Sequence, residues 1–223
     1  MYNTHIISER LISLNFRKGT AMKKSFLIFI SLFITFSTFA SVEQKASTPF
    51  EEIKTTGDKL FSRIASSQLE LKKFPDLMRE IVEQELMPVI DYKYAAYKIL
   101  GKHLKKTTKE QRSKFVISMR HYLVRTYAGA LNQYKNQQVR YEQGKVKNTA
   151  KMASVNATIA DGVKPDIHLT FQMRKNKKTG QWKAYDLIVE GISLLSSKQA
   201  EFKGRIAKYG IDQVTVELAA LTK

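Results

Sequence analysis

Two carboxylates, Asp186 and Glu190, stand four residues apart in QWKAYDLIVEGISLL (181–195), a run that is otherwise mostly apolar. Paired carboxylates serve acid–base hydrolysis, and their separation decides which kind. The run reads as a strand, so both would point to one face about 13 Å apart at roughly 3.3 Å per residue. Retaining glycosidases hold their carboxylates about 5 to 5.5 Å apart and inverting ones about 6.5 to 9.5 Å. Unless a bulge shortens the strand between them, the pair is no hydrolytic dyad. The expected role is structural: Glu190 sits at the strand exit and Asp186 on the face away from Tyr185, Leu187 and Val189, each accepting hydrogen bonds or pairing with basic neighbours.

Other chemistry lacks its residues. No cysteine is present, which excludes thiolate metal sites, CxxC redox chemistry and disulfides. His103, His121 and His168 fall in separate elements with no HxH or HExxH spacing, so no metal site is expected. There is no GxSxG elbow, no Walker loop and no GxGxxG. The sequence therefore predicts neither an enzyme nor a cofactor.

The elements that would position these residues begin late in the chain. From Met22 the sequence reads MKKSFLIFISLFITFSTFASVE: two lysines, an apolar core over 26–36, then Thr38-Phe39-Ala40 with small residues where a signal peptidase reads. The apolar core is too short to span about 30 Å of hydrocarbon at 1.5 Å per residue. Residues 22–40 are read as a cleaved secretory signal and 1–21 as an over-extended start. Residues 41–223 form the single domain, 43% of the whole chain being hydrophobic.

Thr48-Pro49 reads as an N-cap with proline at the first helical position, and Ile53, Leu60, Phe61 and Ile64 share one face, predicting a helix to about 72. Leu77, Ile81 and Leu86 carry a second helix up to Pro88. Tyr94, Tyr97 and Leu100 carry a third that closes near Gly101. Thr108 and Gln111 form a capping box ahead of a long helix with a broad stripe: Phe115, Met119, Tyr122, Leu123, Tyr127, Ala130, Leu131 and Tyr134. The period then falls to two at Val139 and Tyr141, at Ala153 to Ile159, and at Ile167 to Met173. Turns at Asp161-Gly162 and over 175–180 predict an antiparallel meander ending in the strand that holds Asp186. Two closing helices, 197–209 and 212–221, are split by Gly210.

The charge is +18. Cleaving 1–40 removes Arg10, Arg17, Lys18, Lys23, Lys24 and Glu9 and leaves about +14. An exported chain of this charge meets anionic lipid head groups and acidic proteins rather than nucleic acid, so transient contact with a membrane surface is expected and nucleic acid is not. Lys102, Lys105, Lys106 and Lys109 make one cationic patch, and Arg174, Lys175, Lys177 and Lys178 another, predicted to bracket the elements between them.

The segment LMPVIDYKYAAYKILGKHLKKTTKEQRSKFVISMRHYLVRTYAGAL, followed by QWKAYDLIVEGISLLSSKQAEF and YGIDQVTVEL, resembles the MlaC family, also called toluene-tolerance or Ttg2-type periplasmic proteins. The specific pieces are Leu100-Gly101, Gln111-Arg112 and Phe115 in their spacing, and Tyr185-Asp186 ahead of Glu190-Gly191-Ile192-Ser193. Where many members have a Tyr-Arg pair, this chain has Lys198-Gln199. The resemblance implies an α+β, NTF2-like fold, helices on a curved antiparallel sheet of about four strands enclosing an apolar cavity. It also implies a monomeric periplasmic carrier of phospholipid, the lipid being cargo rather than cofactor. That carrier would move between an outer-membrane Mla lipoprotein with its porin and an inner-membrane Mla ABC transporter complex, maintaining outer-membrane lipid asymmetry.

Physical chemistry supports enclosure. A two-chain lipid has on the order of 28 methylenes, and at about 0.8 kcal/mol each their exposure costs on the order of 20 kcal/mol. The two apolar faces supply the candidate wall: Phe61, Tyr97, Leu100, Phe115, Met119, Leu123 and Tyr127 from the helices, and Val155, Ile159, Leu169, Phe171, Leu187 and Val189 from the sheet. Two other readings remain. An NTF2-like hydrolase or isomerase would rely on Asp186 beside Tyr185, and an adaptor or chaperone would have a filled core and no ligand.

Overall fold

Thr48 and Glu51 cap each other at the start of α1 (Pro49–Ser66). The Thr48 hydroxyl accepts from the Glu51 N–H at 3.1 Å, and the Glu51 carboxylate accepts from the Thr48 N–H at 2.8 Å. With Pro49 pre-set for the first turn, the helix start is fixed locally, and Ile53, Leu60 and Ile64 become its buried face. The computed structural model describes residues 47–142, 151–160 and 162–221. The predicted over-extended start (1–21) and signal (22–40), and Asp161 of the first predicted turn, lie outside the described residues.

The first helix ends sooner than its periodicity predicts. At Ser67 the backbone leaves helical geometry (φ −98°, ψ 13°), and the short α2 (Gln68–Lys73) that follows buries no residue. The second predicted helix is three pieces of different pitch: α3 (Leu77–Ile81), a π turn (Val82–Leu86) and a 3-10 turn ending at Val89. The wide turn sends Glu83 to Arg120, Glu85 to Arg63 at 2.7 Å, and Leu86 to the interior. π turns of this kind are rare and concentrate at functional sites.

Asp91 caps α4 (Tyr92–Leu100), accepting from the Tyr94 N–H at 3.0 Å, and Gly101 ends it at φ +49°. The predicted capping box at Thr108 and Gln111 is present, with hydrogen bonds of 3.1 and 2.9 Å, and opens α5 (Lys109–Leu131). The strands β1 (Gln138–Glu142), β2 (Met152–Ala160), β3 (Ile167–Lys175), β4 (Trp182–Val189) and β5 (Ile192–Ser193) follow in an antiparallel meander, each pairing with its neighbours in sequence order. The α+β class is as predicted, with five strands rather than about four.

The fifth strand arises from Glu190 (φ +47°) and Gly191 (φ +78°), a two-residue loop with both residues left-handed, as a type I′ hairpin requires. Glutamate is an uncommon residue for that backbone, and its side chain is tied down by accepting a hydrogen bond from the His168 N–H. Ser193 then caps α6 (Leu194–Ala220), within which Gly210 breaks helical geometry at φ +80° as the sequence predicts.

A bulge changes the phase of β4. Gln172 pairs with Asp186, but Met173 pairs with Ala184, leaving Tyr185 as the extra residue. Trp182 and Ala184 before the bulge and Leu187 and Val189 after it therefore all face the helices. Tyr185 does not continue the Leu187–Val189 row as the alternation predicts. Its ring packs edge-on against Tyr94, centroids 5.3 Å apart.

Two apolar cores result. One joins α1, α3, the C-terminal half of α5 and the sheet, with Ile81, Val155 and Met173 at its centre. The other joins α4, the N-terminal half of α5 and α6, with Leu100, Phe115, Met119 and Val214 fully buried. Among the described residues no helix is long and apolar enough to cross a membrane.

Candidate functional site

The first core is not filled. A cavity of about 340 Å³ lies between α1, the C-terminal half of α5 and the sheet. Its roof is Ile53, Thr56, Gly57, Leu60 and Phe61 of α1, with Leu86, Val89 and Ile90 from the irregular turns beside them. Tyr127, Ala130 and Leu131 of α5 and Tyr134 just beyond it form one side. The floor is built of cross-strand pairs: Val139 with Ile159, Tyr141 with Ala157, Ile159 with Ile167, Leu169 with Val189, and Phe171 with Leu187. Alternation on a strand puts one residue in two on this face, so a meander with matched registers makes a continuous apolar wall.

None of the residues lining the cavity is Asp, Glu, Lys, Arg or His. Polar groups are confined to Thr56, Gln133, Gln137 and the tyrosine hydroxyls. The Tyr134 hydroxyl donates to the Gln137 carbonyl at 3.0 Å, and the Tyr134 ring lies 4.5 Å from that of Phe61. Burial pushes the Tyr127 hydroxyl up to about 12, with Asp186 and Tyr122 adding to it. Tyr141 is raised further by burial, with Asp58 and Tyr134 contributing. These phenols stay neutral at any physiological pH. Water in such a space finds few hydrogen-bond partners, and apolar wall left wet forfeits about 25 cal/mol per Å². Such a space calls for an apolar occupant.

Gly57 makes room for Tyr141: a β-carbon there would lie 1.8 Å from the Tyr141 hydroxyl oxygen. Alanine would gain up to about 1 kcal/mol of helix propensity, but displacing a ring held between α1 and β1 costs about 1 to 3 kcal/mol. Gly57→Ala is therefore expected to lower the urea midpoint, and in a Tyr141→Phe background, where the clashing oxygen is gone, to lower it less. Equal losses in both backgrounds would mean that the Tyr141 hydroxyl is not what the alanine meets.

Phe61, Tyr127, Ile159, Leu169, Phe171, Leu187 and Val189, predicted for the wall, do line the cavity. The remaining candidates are placed elsewhere. Leu100, Phe115 and Met119 are buried in the second core, where Phe115 meets Phe202 edge-on at 6.3 Å. Tyr97 packs against that core beneath Lys93. Leu123 touches both cores, and Val155 is sealed into the first, beyond the cavity. The reason is α6, which folds back along α4 and the first half of α5 and takes that half of the long stripe for itself. Wall residues absent from the prediction include Val139, Tyr141, Ala157 and Ile167, although the same alternation marks them.

Asp186 and Glu190 lie outside the cavity. Asp186 accepts from the Ser193 hydroxyl at 2.7 Å and from the Leu195 N–H at 2.9 Å, so it holds the first turn of α6 against β4. The bulge at Tyr185 precedes Asp186, so the strand between the two carboxylates keeps its full length. Tyr185 and Asp186 instead border a recess of about 50 Å³ with Lys198. Of the two cationic patches, Arg174 is committed to Asp91 at 3.2 Å and to the Tyr94 ring at 4.2 Å. The lysines at 102–109 lead into α5 and end on its first residue, while the cavity meets only its far end, so the patches do not bracket the cavity. Among the described residues no group of three or more acidic or histidine side chains could hold a metal.

A family model described as MlaC protein matches residues 54–220. The intermembrane phospholipid transport system binding protein MlaC of Haemophilus influenzae is 33% identical over 199 residues, 88% of this chain and 92% of that protein. The toluene tolerance protein ttg2D of Pseudomonas putida is 24% identical over 184 residues, 81% of this chain and 83% of that protein. Among solved structures, a phospholipid-binding protein from Ralstonia solanacearum, determined in complex with a phospholipid, superposes with a TM-score of 0.71 at 22% identity. That match covers 79% of this chain and 97% of the other. With a family model over residues 54–220 and a relative 33% identical across 88% of the sequence, the chain belongs to the MlaC protein family.

Proposed function

We propose that this protein is a periplasmic phospholipid carrier that binds without catalysis. The observation that carries the reading is the cavity of about 340 Å³ walled without a single charged side chain. The acyl chains occupy that space and the head group stays at its mouth, in water. Exposing those chains costs on the order of 20 kcal/mol, so lipid leaves a membrane only for an enclosure of this kind. Membership of the MlaC family supports the same reading. The carrier moves between an outer-membrane lipoprotein–porin complex and an inner-membrane ABC transporter complex, touching membranes transiently, and thereby maintains outer-membrane lipid asymmetry. Phospholipid is its cargo, and it works as a monomer with no cofactor. Binding is favoured over hydrolysis by the placement of Asp186 and Tyr185, which line no part of the cavity.

The test is transfer. Vesicles holding isotope-labelled phospholipid are separated from unlabelled acceptor vesicles by a membrane that passes only protein. Intact labelled lipid is expected in the acceptors only when the protein is present. A label that stays with the donors, or arrives as lysolipid or fatty acid, contradicts the reading.

A further inference from the structure

The apolar cavity has a smaller neighbour on its inner side. The exposed members of the cavity wall, Ala130, Gln133 and Ile167, lie at the C-terminal end of α5 and the start of β3, which places the mouth there. Away from the mouth, Tyr127 and Ile90 line the cavity and also the recess of about 50 Å³ that Tyr185 and Asp186 border. The two spaces share a wall made of two side chains.

The recess also continues the cavity in direction. Along α5 the cavity meets Leu131 and Tyr127, and the recess meets Tyr127, Leu123 and Met119, each about one turn further from the mouth. Along β4 the cavity meets Val189 and Leu187, and the recess meets Ala184 past the bulge. Ala95 and Ile99 of α4 and Leu195 of α6 close the recess with further apolar wall. Its charged members are engaged elsewhere, Asp186 with the Ser193 hydroxyl and the Leu195 N–H, and Lys198 with Glu201 at 2.6 Å. Tyr127 reaches across the divide, for its hydroxyl is raised by burial first and by Asp186 second, and Asp186 borders the recess but not the cavity. At about 15 Å³ for each water-sized group, the recess has room for about three methylenes.

We infer that Tyr127 sets the longest acyl chain this protein takes, by closing the recess to a chain that enters from the mouth. This rests on the carrier reading and adds to it a basis for chain-length selection. A methylene that finds apolar space in the protein is worth about fourfold in partition from a membrane-excluded state, and one stopped at the Tyr127 ring without such space forfeits as much. Removing the ring joins the two spaces and admits the end of a longer chain.

The purified full chain is incubated with an excess of vesicles made of equal amounts of dimyristoleoylphosphatidylglycerol and dioleoylphosphatidylglycerol, which share a head group and differ in chain length. It is then re-isolated, and the ratio of its two bound lipids is measured by mass spectrometry relative to their ratio in the vesicles. The wild type is expected to favour the shorter lipid. Tyr127→Ala is expected to raise the proportion of the longer one by at least roughly fourfold, the value of one methylene. Tyr127→Phe, which keeps the ring, is expected to match the wild type. Tyr127→Leu opens less of the wall with less loss of packing and is expected to shift the ratio in the same direction, so the test survives an alanine variant that does not fold. Phe61→Ala takes a ring of similar size from the α1 side of the cavity, away from the recess, and is expected to leave the ratio near the wild-type value. An unchanged ratio in the folded Tyr127 variants, or an equal shift in Phe61→Ala, overturns the inference while leaving the carrier intact. Wild type that takes up neither lipid overturns the carrier reading first and the inference with it.

Discussion

Val189→Trp is expected to leave a folded protein that has lost most of its phospholipid, at least tenfold less than wild type after purification from a Gram-negative host. Val189 pairs with Leu169 across β3 and β4, and both side chains face the cavity. An indole there projects into open space rather than into packed neighbours, so it displaces cargo instead of core. Filling part of an apolar cavity is neutral or stabilising for the lipid-free protein, since the added ring gains the contacts the void lacked. The contrast is Leu123→Trp. Leu123 also belongs to the apolar stripe of α5, but it packs between the two cores, where extra volume forces off-rotamer side chains at about 1 to 3 kcal/mol. That variant is expected to lower the unfolding midpoint. Lipid retained at the wild-type level in folded Val189→Trp would remove β4 from the wall.

Phe115→Ala is expected to do the opposite, costing about 3 to 5 kcal/mol of stability while the fraction that stays folded keeps its lipid. Phe115 is fully buried and among the largest such side chains, packed on Phe202 among residues of α4 and α6. No atom of the cavity wall depends on it directly. Chemical denaturation gives the first number and lipid content per folded molecule the second. A loss of lipid that exceeds the loss of folded protein would mean that the two cores act as one.

The boundary between those cores is what the sequence conceals. Periodicity identifies a buried face without saying what covers it, and the α5 stripe from Phe115 to Tyr134 reads as one surface. In the fold it is shared, α6 covering Phe115 and Met119 while Tyr127 and Leu131 are left to the cavity. The partner of a helical face lies far along the chain, here about 90 residues from Phe115 to Phe202, and no local pattern encodes it.

Where the determinants are local, the reading is close. The capping boxes at Thr48 and Thr108, the break at Gly210 and the alternation of β2 and β3 depend on neighbours within a few residues, and all are present. The bulge at Tyr185 is not legible in that way, because it depends on the register against Gln172 and Met173. It moves Tyr185 off the row of Leu187 and Val189 and leaves Asp186 free to hold α6. The π turn is hidden for a similar reason. Leu77, Ile81 and Leu86 read as one helical face, but the pairs Arg63–Glu85 and Arg120–Glu83 join that segment to two other helices.

The central claim, an apolar cavity occupied by cargo, is tested most directly by native mass spectrometry of the protein released gently from the periplasm of an expressing Gram-negative host. The account predicts a bound species with the mass of an intact phospholipid, lost on collisional activation and absent from Val189→Trp. Lysolipid or fatty acid in its place, or a wild-type protein that carries nothing, would contradict it.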